Sequence, residues 1–480
     1  MKTISRSGWK RFADLSLALA LLFLFQNPAL AQTQQATKPT GEVDELKQRL
    51  QQLEQTVEDL KKQISAMEAQ KDPAAKIVEA SYPSTTTPAS ADTETAPKPQ
   101  DDKKGESTFS VYGFAMLDAG YQFNQNHPDW FDVVRPTKLP AFKNEFAPNG
   151  HVYYGVRQSR LGVKSTTPTK YGELKTQFEF ELFGTGVDAG QTTFRLRHAY
   201  GELGQFGAGQ TWSPFMDIDV FPNSLEYWGP NGMVFFRNVQ VRWMPLKGRN
   251  AVTIALERPG ASADQGQFAD RIELQGVKPK FDLPDLSGNV RFTRSWGYFQ
   301  AAGMLRRMKW KDTNNHQFDL SGQATGVGVN LSSNLRFGER DTGRFSVVYG
   351  QGIENYMNDA PVDVGIEIIN NPTDPRRPIK GVALPVLGVV AFLDHNWNKR
   401  WTTAVGYSMV NIENSNGQTA DAYHRGHYAL GNLLYYPVEN VMVGGEFQWG
   451  RRENFLDGFA SNDYRIQFSF KYNFSKTWSF

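Results

Sequence analysis

Apolar and polar residues alternate over long stretches of the chain, most clearly at its end. From Tyr464 to Phe480 it reads YRIQFSFKYNFSKTWSF. Ile466, Phe468, Phe470, Tyr472 and Phe474 fall on one side of an extended strand, together with Trp478 and Phe480. Arg465, Gln467, Ser469, Lys471 and Asn473 fall on the other. Side chains of a strand point to opposite faces in turn, so the pattern predicts a ribbon with one aromatic face and one wet face. Tyr472-Asn473-Phe474 is one plausible end for this strand and Phe480 the other.

The alternation recurs from Thr108 onward. Strands are predicted at Phe109–Phe123, Val152–Lys164, Leu174–Leu182, Phe194–Glu202, Phe206–Trp212 and Arg237–Met244. Short turns fall at Ser165–Glu173, Pro245–Asn250, Trp296–Tyr298, Leu335–Gly343, Asn396–Arg400 and Pro437–Asn440. Long connections lie between them, including Ser213–Phe236 and Glu354–Pro385. The count comes to about 16 strands, an even number, as a closed antiparallel barrel in an asymmetric membrane requires. Roughly 370 residues over these strands is ~23 each with a loop, ample for the 9–11 that cross a bilayer. A soluble all-β array has no reason to sort its connections by length, and no propeller-type repeat is found. The fold expected is all-β, a transmembrane antiparallel β-barrel over residues 108–480. Its terminal Phe480 matches the aromatic ending of Gram-negative outer-membrane barrels, and the greasy faces are expected to meet outer-membrane lipid.

The period changes upstream. Val43, Leu50, Val57 and Ile64 recur at heptad a, with Leu46, Leu53, Leu60 and Met67 at d, among Glu, Gln, Lys, Asp and Arg. This narrow stripe predicts an N-terminal α-helical coiled coil over residues 43–70, roughly four heptads and about 37 Å long. β-Branched a positions with Leu at d fit a dimer, whereas Arg49-Leu50-Gln51-Gln52-Leu53-Glu54 follows the R-h-x-x-h-E pattern of short trimers. Arg49 at g and Glu54 at the following e can pair across helices, which favours the trimer. Residues 71–107, rich in Pro, Ser, Thr and Ala, read as a disordered linker. Residues 1–31 read as a signal peptide: Lys2, Arg6, Lys10 and Arg11, the apolar Leu15–Phe25, then Ala29-Leu30-Ala31.

Charge is placed by the membrane. An Arg or Lys facing lipid at midplane costs about 2–4 kcal/mol, so the charged face of each strand should line the lumen. Arg157, Arg160 and Lys164 crowd the second strand; Arg195, Arg197, Arg242, Arg291 and Arg306 extend a positive wall. The insertion after the fifth strand carries Asp217, Asp219 and Glu226, and a loop this acidic beside an arginine wall is expected to fold inward. Opposed charges across the resulting constriction would select solutes by sign, a pair at 4 Å being worth about 4 kcal/mol at a dielectric of ~20. For any single arginine, pairing with Glu179 or Glu181 to stiffen the wall explains it equally well. Lumenal Arg, Lys, Glu and Gln on so many strands imply a wide, water-filled interior.

Composition adds three limits. The chain contains no cysteine, so an exported protein of this size must draw stability from elsewhere, which a closed hydrogen-bonded barrel supplies. The formal charge of +2 is too small to imply nucleic acid. The signal contributes about +3 and residues 32–107 about −4, leaving about +3 on the barrel, a weak lean toward anionic partners. His424 and His427, with Asp421 nearby, are placed in an external loop; H-x-x-H there is weak evidence for a metal, and no nucleophile, zinc or phosphate-loop motif points to an enzyme or a cofactor.

Several segments carry a resemblance. Phe194-Arg195-Leu196-Arg197-His198-Ala199-Tyr200-Gly201-Glu202-Leu203, followed by Gly209-Gln210-Thr211-Trp212-Ser213-Pro214-Phe215, resembles a strand-turn-strand of DcaP-like porins. Gln158-Ser159-Arg160-Leu161-Gly162 and the stretch from Trp296-Gly297 to Arg306-Arg307 do likewise. The resemblance covers the barrel from about Ser110, and the coiled coil also suits that family. It implies a homotrimeric 16-stranded outer-membrane diffusion channel preferring small anionic solutes, dicarboxylates among them, with the coiled coil in the periplasm. The alternative is an envelope tether whose coiled coil contacts peptidoglycan, the barrel serving as anchor.

Overall fold

A computed structural model describes residues 105–314, 316–370 and 372–480. The predicted signal, coiled coil (Val43, Leu46, Arg49, Leu50, Leu53, Glu54, Val57, Leu60, Ile64 and Met67) and nearly all of the linker lie outside the described residues.

Twenty strands follow one another: β1 (Thr108–Gln122), β2 (His151–Gly155), β3 (Arg160–Thr169), β4 (Gly172–Phe183), β5 (Thr192–Leu203), β6 (Phe206–Trp212), β7 (Arg237–Leu246), β8 (Asn250–Glu257), β9 (Val277–Pro279) and β10 (Asp285–Arg294). Then come β11 (Gly297–Asp312), β12 (Gly322–Phe337), β13 (Asp341–Gln351), β14 (Val364–Ile368), β15 (Ile379–Ala383), β16 (Pro385–Asn396), β17 (Trp401–Ile412), β18 (Tyr423–Tyr435), β19 (Val441–Asn454) and β20 (Ala460–Ser479). β14 and β15 pair only with each other. β2 and β3 share the position beside β1, and β9 and β10 share the position beside β11. The rest form a closed antiparallel barrel of 16 strand positions.

Closure is made by β1 and β20, in register from Thr108↔Ser479 to Gln122↔Arg465. The last strand therefore runs past Phe474, and the exposed Phe480 exchanges backbone hydrogen bonds with Ser107 at 2.9 and 3.0 Å. The predicted second strand is broken at residues 156–159, so Arg157 and Gln158 lie between β2 and β3. The seven turns at one end span two to five residues, as between β3 and β4 or β18 and β19. Most connections at the other end are longer, up to residues 352–384. That asymmetry orients the barrel, with turns on the periplasmic side and loops outside.

Burial follows the pleat. On β12 Val327, Val329 and Leu331 are exposed on the outer surface, while Asn330 and Ser332 are buried inside. The inner surface is not uniformly wet. Met304, Val348, Val386, Val390, Phe392 and Val410 point inward and pack against Phe215, Met216, Val220, Phe221, Met233 and Val234 of the loop 213–236. Against the expectation of a wide water-filled interior, this half of the lumen is dry, because the loop covers an apolar inner wall and takes up its polar neighbours. The fit is close: a Cβ on Gly388 of β16 would meet the Gly232 carbonyl oxygen at 2.2 Å, so glycine is required at that crossing.

Candidate functional site

The loop 213–236 narrows the barrel. Ser213 and Phe236 close its base with a backbone bond of 3.0 Å, and the loop then crosses the interior. Asp217 accepts hydrogen bonds from the Tyr298 and Ser332 hydroxyls (2.8 and 2.6 Å) and pairs with Arg291 Nη2 at 2.5 Å. Asp219 pairs with Arg291 Nη1. Farther on, the N–H groups of Leu225 and Glu226 donate to Glu446 at 2.7 and 3.0 Å. The Glu226 carboxylate accepts from Val134 N–H (3.0 Å), Tyr428 Oη (3.1 Å) and Gly229 N–H. Burial pushes Glu226 up to about 7, against the opposing field of Arg465.

At the edge of the dry cluster, against Trp212 and Phe235, the wall is a basic cluster built on two carboxylates of β4. Glu181 lies within 2.7 Å of Arg197, 3.5 Å of Arg195, 3.6 Å of Arg160 and 3.7 Å of Arg237. Glu179 pairs with Arg197 at 2.6 Å and Arg160 at 3.6 Å, and accepts from Tyr112 at 2.8 Å. The pairing of β4 with β5 slips at Glu179/Phe180, so that Glu179 faces His198 and Phe180 faces Leu196. That irregularity lets both Arg197 and His198 be buried, His198 bonding Thr211 at 3.0 Å. Four guanidinium groups thus meet two carboxylates, a local excess of cation.

The remaining candidates do not join that cluster. Arg157 pairs with Asp132 of the first long loop at 2.6 Å. Arg306 pairs with Asp285 and Asp363 at 3.2 and 2.9 Å, tying down the loop 352–384. Arg242 bonds Gln240 and the Trp212 carbonyl (2.6 Å), and Lys164 stands 5.3 Å from the Tyr112 ring centroid. The eight basic residues therefore form several separate contacts and not one continuous wall.

Sequence reasoning passed over three participants. Arg237, the first residue of β7, completes the set around Glu181. Lys471 of β20 reaches into the space below the loop, its ammonium 4.0 Å from the Phe114 ring centroid, with Arg160 at 5.1 Å on the same ring. Arg160, Lys471, Asn223, Glu226 and Asn473 line that space. Arg135 of the first loop lies 4.2 Å from the Trp130 ring and 4.0 Å from Trp228, and bonds Asp359 at 2.9 Å, joining three loops. Lys471 was visible as a wet-face residue of the terminal ribbon; Arg135 has no periodic signal, because it sits in a loop.

His424 and His427 are in β18 and not in a loop. His424 sits at a register shift of that strand, and the two have separate partners: His424 bonds Asn414 and His427 bonds Tyr407 (2.9 and 2.6 Å). Among the described residues no group of His, Asp and Glu is arranged to hold a metal ion.

A closed barrel with an inward loop and a charged lumen defines the outer-membrane channels of the porin class. The chain belongs to the DcaP outer membrane protein family, whose model matches residues 31–474. Among solved structures it is similar to the outer-membrane channel DcaP of Acinetobacter baumannii, at 20% identity and a TM-score of 0.64, over 78% of this chain and 98% of that one. It is also similar to an anion-selective porin from Comamonas acidovorans (10% identity, TM-score 0.49, 77% and 100% covered). A loop-deletion mutant of OmpT from Vibrio cholerae is a further match (14%, 0.47, 77% and 99%). Among curated proteins nothing matches.

Proposed function

We propose that the protein is a passive channel for small hydrophilic solutes that prefers anions, working as a homotrimer with its coiled coil in the periplasm. The observation that carries the preference is the surplus of Arg160, Arg195, Arg197 and Arg237 over Glu179 and Glu181, with Lys471 across Phe114. Of these arginines Arg195 is a quarter exposed, while Arg160, Arg197 and Arg237 are largely buried and act on a passing solute through their field. A surplus positive charge beside a narrow, partly desolvated passage lowers the barrier for anions and raises it for cations. Because the arginines are held by carboxylates and aromatic rings, they present a fixed potential that does not collapse onto each solute. Arg291, held between Asp217 and Asp219, adds no surplus of cation and serves to anchor the loop. Trimerisation is supported by the R-h-x-x-h-E heptad at Arg49–Glu54.

Planar-bilayer recording of the signal-cleaved protein across a salt gradient tests this reading. An anion-selective reversal potential with conductance in groups of three is expected. A cation-selective sign would remove the anionic preference, and a folded protein without conductance would remove the open channel.

A further inference from the structure

The outer surface of β11 changes character abruptly near its extracellular end. Gly303 and Leu305 are exposed in the apolar band; the next outward positions are Arg307, Lys309 and Lys311. Beside them on β9, Lys278 stands directly opposite Lys311. Lys280 follows, its N–H bonded to the Lys309 carbonyl at 2.8 Å. Directly opposite residues of an antiparallel pair share a face, so these five cations form one patch. On the other flank, the β12 residues facing Arg307 and Lys309 are Thr325 and Gln323, both uncharged. Asp282 pairs with Lys309 at 3.1 Å and is the one carboxylate within salt-bridge distance of the patch among the described residues. Like charges placed directly opposite each other destabilise a sheet, so an unneutralised Lys278–Lys311 pair is a cost to the fold.

The patch lies where the hydrocarbon band ends and lipid headgroups begin. Basic residues at that depth attract anionic headgroups, and each is worth about a fivefold change in binding. We infer that Arg307, Lys309, Lys311, Lys278 and Lys280 bind the phosphates of an anionic glycolipid in the outer leaflet. The bound lipid neutralises the opposed lysines and covers the wall below the loops.

The test uses the full-length protein in uncharged detergent, titrated with fluorescent lipopolysaccharide bearing its lipid A phosphates. The triple variant Lys278→Gln/Lys309→Gln/Lys311→Gln should bind about a hundredfold more weakly. Lipid stripped of its phosphates should bind the wild type no better than intact lipid binds the variant. The charge-conserving Lys278→Arg/Lys309→Arg/Lys311→Arg protein should retain binding, which separates charge loss from misfolding. Unchanged affinity in the Gln variant would overturn the assignment. So would an equal loss from Lys175→Gln/Lys247→Gln at the short-turn end, or full displacement of the lipid by an equal concentration of inorganic phosphate.

Discussion

Arg291 reaches from the wall strand β10 to Asp217 in the inward loop, Nη2 to Oδ1 at 2.5 Å, and the Asp217 carboxylate is fully buried. The loop is therefore fastened at this point by charge as well as by the apolar cluster beside it. Removing the cation leaves a buried carboxylate with only neutral donors, the Tyr298 and Ser332 hydroxyls and the Asp219 N–H. Breaking such a pair costs about 3 kcal/mol, at the low end for buried pairs because Arg291 is itself a quarter exposed. Arg291→Ala should lower the thermal midpoint and add current noise as the loop loosens. Asp217→Asn in the same background should restore much of the midpoint, since no buried charge remains. A double variant no more stable than Arg291→Ala would show that the pair does not anchor the loop.

Glu181 is the hub of the basic cluster, with four guanidinium groups within 3.7 Å. Glu181→Gln leaves Arg160 and Arg197 paired with Glu179 and takes from Arg195 and Arg237 the carboxylate they share. The variant should fold poorly at low ionic strength and recover in about 1 M salt, where the screening length falls to roughly 3 Å. Its folded fraction, read from the gel shift of unheated samples, should rise steeply with salt while the wild type stays flat. Equal salt responses would argue against the carboxylate as the organising charge.

How far this site could be read from the chain depends on what sets each position. Period-two alternation is a direct consequence of the pleat, so strand faces, connection lengths and the wet face of β20 were all legible. Arg195 and Arg197 were placed on the lumenal side by the same rule. The irregular pairing that also buries His198 was not foreseen, because it depends on the register against β4. The dry half of the lumen had a signal that went unused: Val386 to Leu393 is an unbroken apolar run, interrupted only by Gly388, which implies a strand covered on both faces. Its partner, the loop 213–236, is itself rich in Phe, Met and Val. Which carboxylate each arginine meets is a matter of three-dimensional proximity between strands distant in sequence, and alternation carries no information about it.

Lys471 offers a cleaner probe of selectivity than the interlocked arginines. It borders the space below the loop, stacked on Phe114 and opposite Arg160. A unit charge about 4 Å from a passing ion in largely aqueous surroundings is worth about 1 kcal/mol, so Lys471→Gln should lower the anion-to-cation permeability ratio about fivefold. Lys471→Arg should keep the ratio. Reversal potentials of the two variants in the same salt gradient decide the matter, and an unchanged ratio in Lys471→Gln would assign the potential elsewhere.

Glu226 couples the loop to pH. Its carboxyl is buried in the connecting loop, outside the spanning strands, and burial raises it from 4.5 to about 7. The folded protein then holds this proton more tightly than the unfolded chain does. Between pH 4.5 and 7 the unfolded chain has released it and the folded one has not, so the group's contribution to stability is greatest below 4.5, falls as pH rises through that window, and is lost above 7. The total swing is up to about 3 kcal/mol. Glu226→Gln carries no proton to lose, so the difference in unfolding free energy between wild type and variant should change by most of that amount from pH 5 to pH 8, with the wild type relatively weaker at pH 8. Loop closure over the first long loop should follow, because Val134 N–H and Tyr428 Oη both donate to this carboxyl. Urea titrations in detergent at the two pH values provide the comparison, and parallel pH dependence in wild type and variant would place the titrating group elsewhere.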